Sequence, residues 1–341
     1  MSWKNFAGVM IAATLFAAPF IYFSDDTTTG YSSTPYAEKV YGAMTDDSSM
    51  NGKLYAIQTL GLNATRESIL TSAYKGTAGR LQFWNTNSIK MFLNINSYTQ
   101  GTGKGFQSAD TFVPIMLNIA NKYKPYWIFI ENEELNTGYH EGDLFADYTR
   151  LIKAAIDSGH AHGYKVSNGG ITSRRAVQLT YRWLWKTNDS LADYFLKNCV
   201  PIDDTLWLSH YMTDEKQERL LAEQEALLRW YSNKDVKIDA INVHLYLPFK
   251  NRTKGTQGAK IKSAIGLNYV IDYLNSVLDG KKIISNEVGF VENNTDLSYN
   301  TFRILDSANI EACFYGGQGA KKFIREGLIT KVGTGIKNYT P

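Results

Sequence analysis

From residue 38 onward, short apolar segments alternate with longer segments in which apolar positions recur at helical spacing. Repetition of that pair of patterns predicts successive βα units. Strand one reads Val40–Met44, and the polar run Thr45–Ser49 offers caps for a helix that ends at Leu60, where Gly61 stops it. Further strands are predicted at Leu62–Arg66, Ile89–Asn96, Tyr126–Glu133, Tyr164–Gly170, Ile238–Tyr246, Lys282–Glu287 and Glu311–Tyr315. The helical pattern covers Asp110–Lys122, Leu144–His162, Ile261–Leu278 and Tyr299–Ala308. A stretch after strand two is broken by Gly76 and Gly79, and Lys321–Arg325 is what remains for a helix after strand eight. Arg174–Trp230 is a long insertion after strand five carrying Trp183, Trp185, Trp207 and Trp230. It reads as an enlarged helical layer rather than a lid, because stretches of that length acquire structure of their own. Eight strands with intervening helices predict an α/β protein, a closed (β/α)8 TIM barrel formed as one domain by residues 38–341. No dinucleotide fingerprint follows strand one, which removes the open doubly wound sheet.

The fourth and seventh strands share an unusual ending. Tyr126–Ile130 is continuously apolar, as a strand covered on both faces should be, and then breaks into Glu131-Asn132-Glu133-Glu134. Far downstream, Ile283-Ile284-Ser285 runs into Asn286-Glu287. Barrels of this kind keep their active sites at the carboxyl ends of the strands. Read there, the chain offers Arg66, Asn94, Asn96, Asn132, Glu133, Asn168, His244, Tyr246, Glu287 and Tyr315. Any one of these has a structural explanation, since a strand-end Asn serves turns and a lone His is more often a satisfied core residue. Two acids, each preceded by Asn at the end of an apolar strand, are harder to explain that way.

Composition narrows the partners. Hydrophobic residues at 44% and charged residues at 20% describe an ordinary globular chain, and a net charge of +3 with scattered Lys and Arg excludes a nucleic-acid footprint. Aromatic residues at 13% suit a ring-rich core and also a cleft that stacks on sugar faces. Gly101–Gly105 lacks the Lys-Ser/Thr pair of a phosphate loop. Two cysteines, Cys199 and Cys313, are too few for a disulfide framework or thiolate metal site, although they are enough for one bridge. Lys4 precedes an apolar run from Phe6 to Phe23 that turns polar at Ser24. Residues 1–24 therefore read as a signal peptide or an N-terminal membrane anchor and 25–37 as a linker, so the barrel is expected to be secreted, periplasmic or extracellular. No cofactor is expected, membrane association only through that anchor, and a monomer.

In their order along the strands these residues resemble the superfamily of retaining glycoside hydrolases with (β/α)8 barrels known as clan A. The resemblance covers roughly residues 38–320 and rests on Asn132-Glu133 at the fourth strand and Glu287 at the seventh, with Arg66 after strand two and His244-x-Tyr246 on strand six. It implies that Glu287 is the nucleophile and Glu133 the acid/base in cleavage of an oligo- or polysaccharide. The chemistry needs two carboxyl groups about 5 to 5.5 Å apart across the sugar. Glu287 must be ionised, which Arg66 and a hydrogen bond from Tyr246 would favour. Asn132 would meet the sugar 2-hydroxyl, and His244 would support Glu133 or a sugar hydroxyl. Asn96 and Tyr315 complete the expected carbohydrate site. Two departures stand out: Glu134 follows Asn132-Glu133 where the family usually has Pro, and strand eight reads Phe314-Tyr315 where many members end in Trp. A second reading is an inactive barrel that binds glycans or acts as a surface interaction protein. A metal-dependent hydrolase is disfavoured, because strand-end Asp and His pairs at ligand spacing are missing.

Overall fold

The eight apolar segments become strands because they bury side chains on both faces. A computed structural model describes residues 39–45, 49–99, 102, 104–136, 140–200, 215–247, 257–316 and 322–340. The strands are β1 (Tyr41–Thr45), β2 (Ala64–Leu70), β3 (Lys90–Asn96), β4 (Trp127–Ile130), β5 (Val166–Asn168), β6 (Ile241–Leu247), β7 (Ile283–Phe290) and β8 (Glu311–Gly316). They pair in parallel in the order β5-β4-β3-β2-β1-β8-β7-β6. Bridges Ser167 to Ala240 and Ile171 to Val243 join β5 to β6 and close the barrel. Alternate residues face two apolar clusters. Met91, Leu93 and Ile95 of β3 pack outward against the helices, while Phe92 joins Val40, Ala64, Trp127, Phe129, Ala240, Ile284 and Cys313 inside the barrel.

Among the described residues ten helices surround the strands: α1 (Met50–Thr59), α2 (Gly79–Thr86), α3 (Ala109–Tyr123), α4 (Leu144–Ala161), α5 (Ser173–Thr187), α6 (Asp189–Asn198), α7 (Glu215–Ser232), α8 (Gln257–Val277), α9 (Thr295–Ser307) and α10 (Lys331–Tyr339). Their starts are set by short polar side chains. Ser49, Asp143, Thr172, Asn188, Asn294 and Thr330 each accept a backbone N–H of the first turn, a contact worth about 1 kcal/mol. The insertion after β5 forms α5, α6 and α7, with Leu179, Leu184, Phe195, Leu221 and Leu227 in the outer core, so it thickens the helical layer. Trp207 lies outside the described residues.

Several expectations need correction. β2 runs on to Leu70, so Arg66 sits within the strand rather than after it. β7 runs on to Phe290, so Glu287 is likewise internal to its strand. Gly79 opens α2 instead of breaking it. Lys321 lies outside the described residues, and Ile324–Arg325 forms not a helix but a short strand, β9, paired antiparallel with β10 (Leu328–Ile329). The eighth outer helix follows as α10, started by Thr330. Its Tyr339 hydroxyl donates to Asp306 Oδ2 at 2.8 Å, while Lys39 and Tyr41, at the start of the barrel, hold Oδ1 at 2.7 and 2.8 Å. Burial pushes the Asp306 carboxyl up, but these three donors outweigh it and hold it below its ordinary value. Cys313 is buried inside the barrel and Cys199 in the outer core, and no disulfide joins them.

The apolar run Phe6–Phe23 and the linker lie outside the described residues. Among those described, no helix is long and apolar enough to cross a membrane.

Candidate active site

Glu287 faces the barrel axis because β7 carries a bulge. Between the pairs Asn242 to Ile284 and His244 to Glu287, β6 advances two residues and β7 three, and the same slip occurs against β8. Strict alternation would turn Glu287 outward, since Ile284 and Asn286 already point inward. The extra residue lets two consecutive side chains, Asn286 and Glu287, face the interior, and Val288 and Phe290 then return to the outer core. Gly289 is needed just beyond, where a Cβ would come within 2.3 Å of the Tyr246 ring.

Beneath the acids lies a girdle of buried asparagines. Asn286 Nδ2 donates to Asn94 Oδ1 at 2.8 Å, and Asn242 Nδ2 donates to Asn286 Oδ1 at 3.0 Å. Asn242 N–H donates to Asn168 Oδ1 at 2.6 Å. Asn94 also accepts Arg66 Nε at 3.0 Å and donates to the Glu131 carbonyl at 3.1 Å. All four asparagines are fully buried, so each bond counts toward a unique barrel geometry. The strand-end pattern marks Asn94 and Asn168 but not Asn242, the second residue of β6, whose polarity between Ile241 and Val243 is the available signal.

Above the girdle Arg66 reaches across the barrel. Its Nη1 donates to Glu287 Oε2, and its Nη2 donates to Asn132 Oδ1 at 2.7 Å. Tyr246 donates its hydroxyl to Glu287 Oε1. Burial pushes the Glu287 carboxyl up, but Arg66, His244 and the hydrogen bonds from Tyr246 and Arg66 outweigh it and hold it below its ordinary value. Burial, and then the Glu287 charge, raise the Tyr246 phenol, which therefore stays a donor.

The three acids after β4 splay in three directions because Glu131 and Glu133 adopt left-handed backbone, with φ of 64° and 51°. Glu131 turns to Ser97, accepting its N–H at 2.9 Å and its hydroxyl; burial still raises its carboxyl to about 7. Glu134 is buried beneath β5, where it accepts Asn168 Nδ2 at 2.8 Å, Gly170 N–H at 2.7 Å and the Tyr231 hydroxyl at 3.3 Å. Glu133 alone of the three faces the barrel mouth. It accepts Asn136 Nδ2 at 2.7 Å and lies 3.2 Å from His244 Nδ1. His244 is fully buried behind it, packed so closely on Gly170 that a Cβ there would fall 2.3 Å from Nε2.

Arg66, Asn96, Asn132, Glu133, Tyr246, Glu287 and Tyr315 line one cavity of about 810 Å³, so seven of the eight expected site residues meet in one place and His244 stands just behind. Tyr315 meets Tyr246 edge to face, with ring centroids 6.4 Å apart. Lys53, Tyr98 and Thr99 also line the cavity and went unnoticed in the sequence, because they lie on α1 and in the β3 loop, away from the strand ends. Among the described residues no group of His, Cys, Asp and Glu is arranged to hold a metal ion.

No family model matches the chain, and no curated protein does. Among solved structures it is similar to the clostridial cellulose synthase subunit Z from Clostridioides difficile, at 11% identity over 89% of this chain and 99% of that one, with a TM-score of 0.51. A GH5-4 broad specificity endoglucanase from Clostridium acetobutylicum matches at 12% identity over 88% of this chain and 96% of that one, with a TM-score of 0.50. The GH39 enzyme from Xanthomonas axonopodis pv. citri matches at 9% identity over 88% and 65% of the two chains, with a TM-score of 0.53. At these identities the shared property is the fold, and the chain has the (β/α)8 barrel of these proteins.

Proposed function

We propose that the protein is a retaining glycoside hydrolase that cleaves an oligo- or polysaccharide by double displacement, with Glu287 as nucleophile and Glu133 as acid/base. The observation that carries this reading is the clamp on Glu287: Arg66 and Tyr246 favour its ionised form in the same cavity that Glu133 faces. Glu287 attacks the anomeric carbon while Glu133 gives its proton to the leaving oxygen, and a glycosyl ester forms on Glu287. Water then enters, Glu133 takes its proton, and the ester bond to Glu287 breaks. Esterification removes the Glu287 charge, which suits the return of Glu133 to a base. Asn132, its Oδ1 held by Arg66, keeps Nδ2 for the sugar 2-hydroxyl. Some of the proteins with this barrel are named as endoglucanases, but the fold hosts many chemistries, so the weight rests on the site. The apolar run Phe6–Phe23 supports export of the enzyme.

The test is hydrolysis of a panel of aryl glycosides and polysaccharides, with the product anomer read by NMR. Retention of configuration is expected, together with loss of turnover in Glu287→Ala and recovery with azide as a glycosyl azide of inverted configuration. Normal turnover by Glu287→Ala overturns the reading.

A further inference from the structure

A second cavity adjoins the cleft. It has a volume of about 730 Å³ and lies between α1, the end of β8 and the β9–β10 hairpin. Thr45, at the end of β1, lines both cavities, so they meet at that residue. The second cavity is walled by Tyr55, Lys322, Phe323 and Arg325, and Tyr55 is 54% exposed. An open aromatic ring on a concave wall is a surface on which a sugar face can stack. Two polar atoms along the path, Thr45 Oγ1 and Asn96 Oδ1, are buried without hydrogen-bond partners. Asn96 Oδ1 accepts and the Thr45 hydroxyl both donates and accepts, so unsatisfied polar groups beside an empty volume point to a ligand that carries hydroxyls.

The charges on the walls sort into paired and unpaired groups. Arg66 is committed to Glu287, and Glu67 to Trp84 at 2.9 Å and Arg80 at 3.4 Å. Arg325 lies 3.5 Å from Glu326, and Glu133 is held by Asn136 and His244. That leaves Lys53 in the cleft and Lys322 in the second cavity, both partly buried and neither in an ion pair among the described residues. Among the described residues each carboxylate on these walls has a hydrogen-bond or ion-pair partner, whereas the Lys53 and Lys322 ammonium groups have neither.

We propose that the second cavity is a sugar subsite continuous with the cleft, and that Lys53 and Lys322 select a glycan bearing an anionic substituent, a carboxylate or a sulfate ester. The proposal rests on the cleft being a glycan site and deepens that reading. The substrate is then a chain long enough to pass Thr45, cut within its length. A lysine ammonium that has lost part of its hydration gains most from an anion delivered to it, and the gain weakens with salt.

The test is calorimetric titration of the full chain with hexasaccharides in matched pairs: polygalacturonate, glucuronoxylan and their carboxyl-reduced forms, and κ-carrageenan with its desulfated form. In at least one pair the acidic member is expected to bind on the order of tenfold tighter at low salt, the scale of a charge-assisted hydrogen bond. The pair that discriminates distinguishes carboxylate from sulfate. Discrimination is expected to vanish in the Lys53→Ala, Lys322→Ala double variant, whereas Tyr55→Ala weakens acidic and neutral members alike. Equal affinity within every pair, including no binding to any, overturns the proposal, as does undiminished discrimination in the double variant. Discrimination with no turnover of any glycan would leave this proposal standing and overturn the hydrolase reading. Turnover of neutral glycans without discrimination would do the reverse.

Discussion

The barrel buries a carboxylate at each end, and the two are built from similar parts. At the amino ends of the strands Glu311 accepts the Tyr126 hydroxyl at 3.1 Å and Trp127 Nε1 at 2.8 Å, with Lys282 Nζ at 3.3 Å. At the carboxyl ends Glu287 accepts the Tyr246 hydroxyl and Arg66. Each acid has a phenol and a cation. What differs is the space beside them. Trp127 fills the barrel floor, with Lys165 and Lys282 at 5.1 and 5.7 Å from its ring, and neither cavity reaches Glu311. Glu287 opens on a cavity of about 810 Å³ that a second carboxyl, Glu133, also lines. A buried, fully partnered acid is thus a structural feature or a reactive one according to whether something else can come beside it.

Exchange of the acids at the two ends should separate these roles. Glu287→Gln is expected to lower kcat on the order of 10⁴-fold, measured by turnover of an aryl glycoside. Tyr246→Phe comes next: it removes a donor from Glu287, raises that carboxyl toward its ordinary value, and moves the acid limb of kcat/KM to higher pH, with a loss of about 10- to 100-fold in kcat. An unmoved acid limb would deny Tyr246 its part in the clamp. At the other end, Glu311→Gln is expected to cost about 2 kcal/mol in a denaturant titration and to leave kcat/KM as it was. Reduced activity at full stability there would erase the contrast between the ends.

The smallest effect belongs to Glu131. Burial raises its carboxyl from 4.5 to about 7, so the folded state binds the proton more tightly than the unfolded chain does. Stability from this group is complete below about 4.5 and is lost as pH rises through about 7. Glu131→Gln should flatten the stability-versus-pH curve across that interval, read from denaturant midpoints at fixed pH.

Much of this was legible in the chain because burial on both faces leaves a clear trace: β3 and β8 lie within a residue of where their apolar runs begin and end. The site residues were legible for a related reason, since a charge that ends an apolar run must be accommodated at the sheet edge. Errors arose where local pattern and tertiary environment part company. The sequence pattern ends β2 at Arg66 because a cation looks like a terminus, yet Glu287, across the barrel, lets the strand continue past it. α10 was missed because Gly333 and Gly335 weaken its helical pattern, while their lack of a side chain is what permits close packing. A Cβ at Gly335 would lie 2.0 Å from Ser298 Oγ on α9.

The alternation of apolar and polar positions by itself determined the eight-fold βα repeat, and with it the end of the barrel to which Glu133 and Glu287 belong. It did not determine which of Glu131, Glu133 and Glu134 enters the cavity, nor that Asn286 and Glu287 face inward together. Those outcomes depend on two left-handed residues and one bulge. Neighbouring strands impose both, through long-range hydrogen bonds: Ser97 draws Glu131 aside, Asn168 and Gly170 draw in Glu134, and Asn242 and Asn94 hold Asn286 inward. Partners so far apart in the chain meet only once the barrel closes, so the direction each acid takes is a property of the fold.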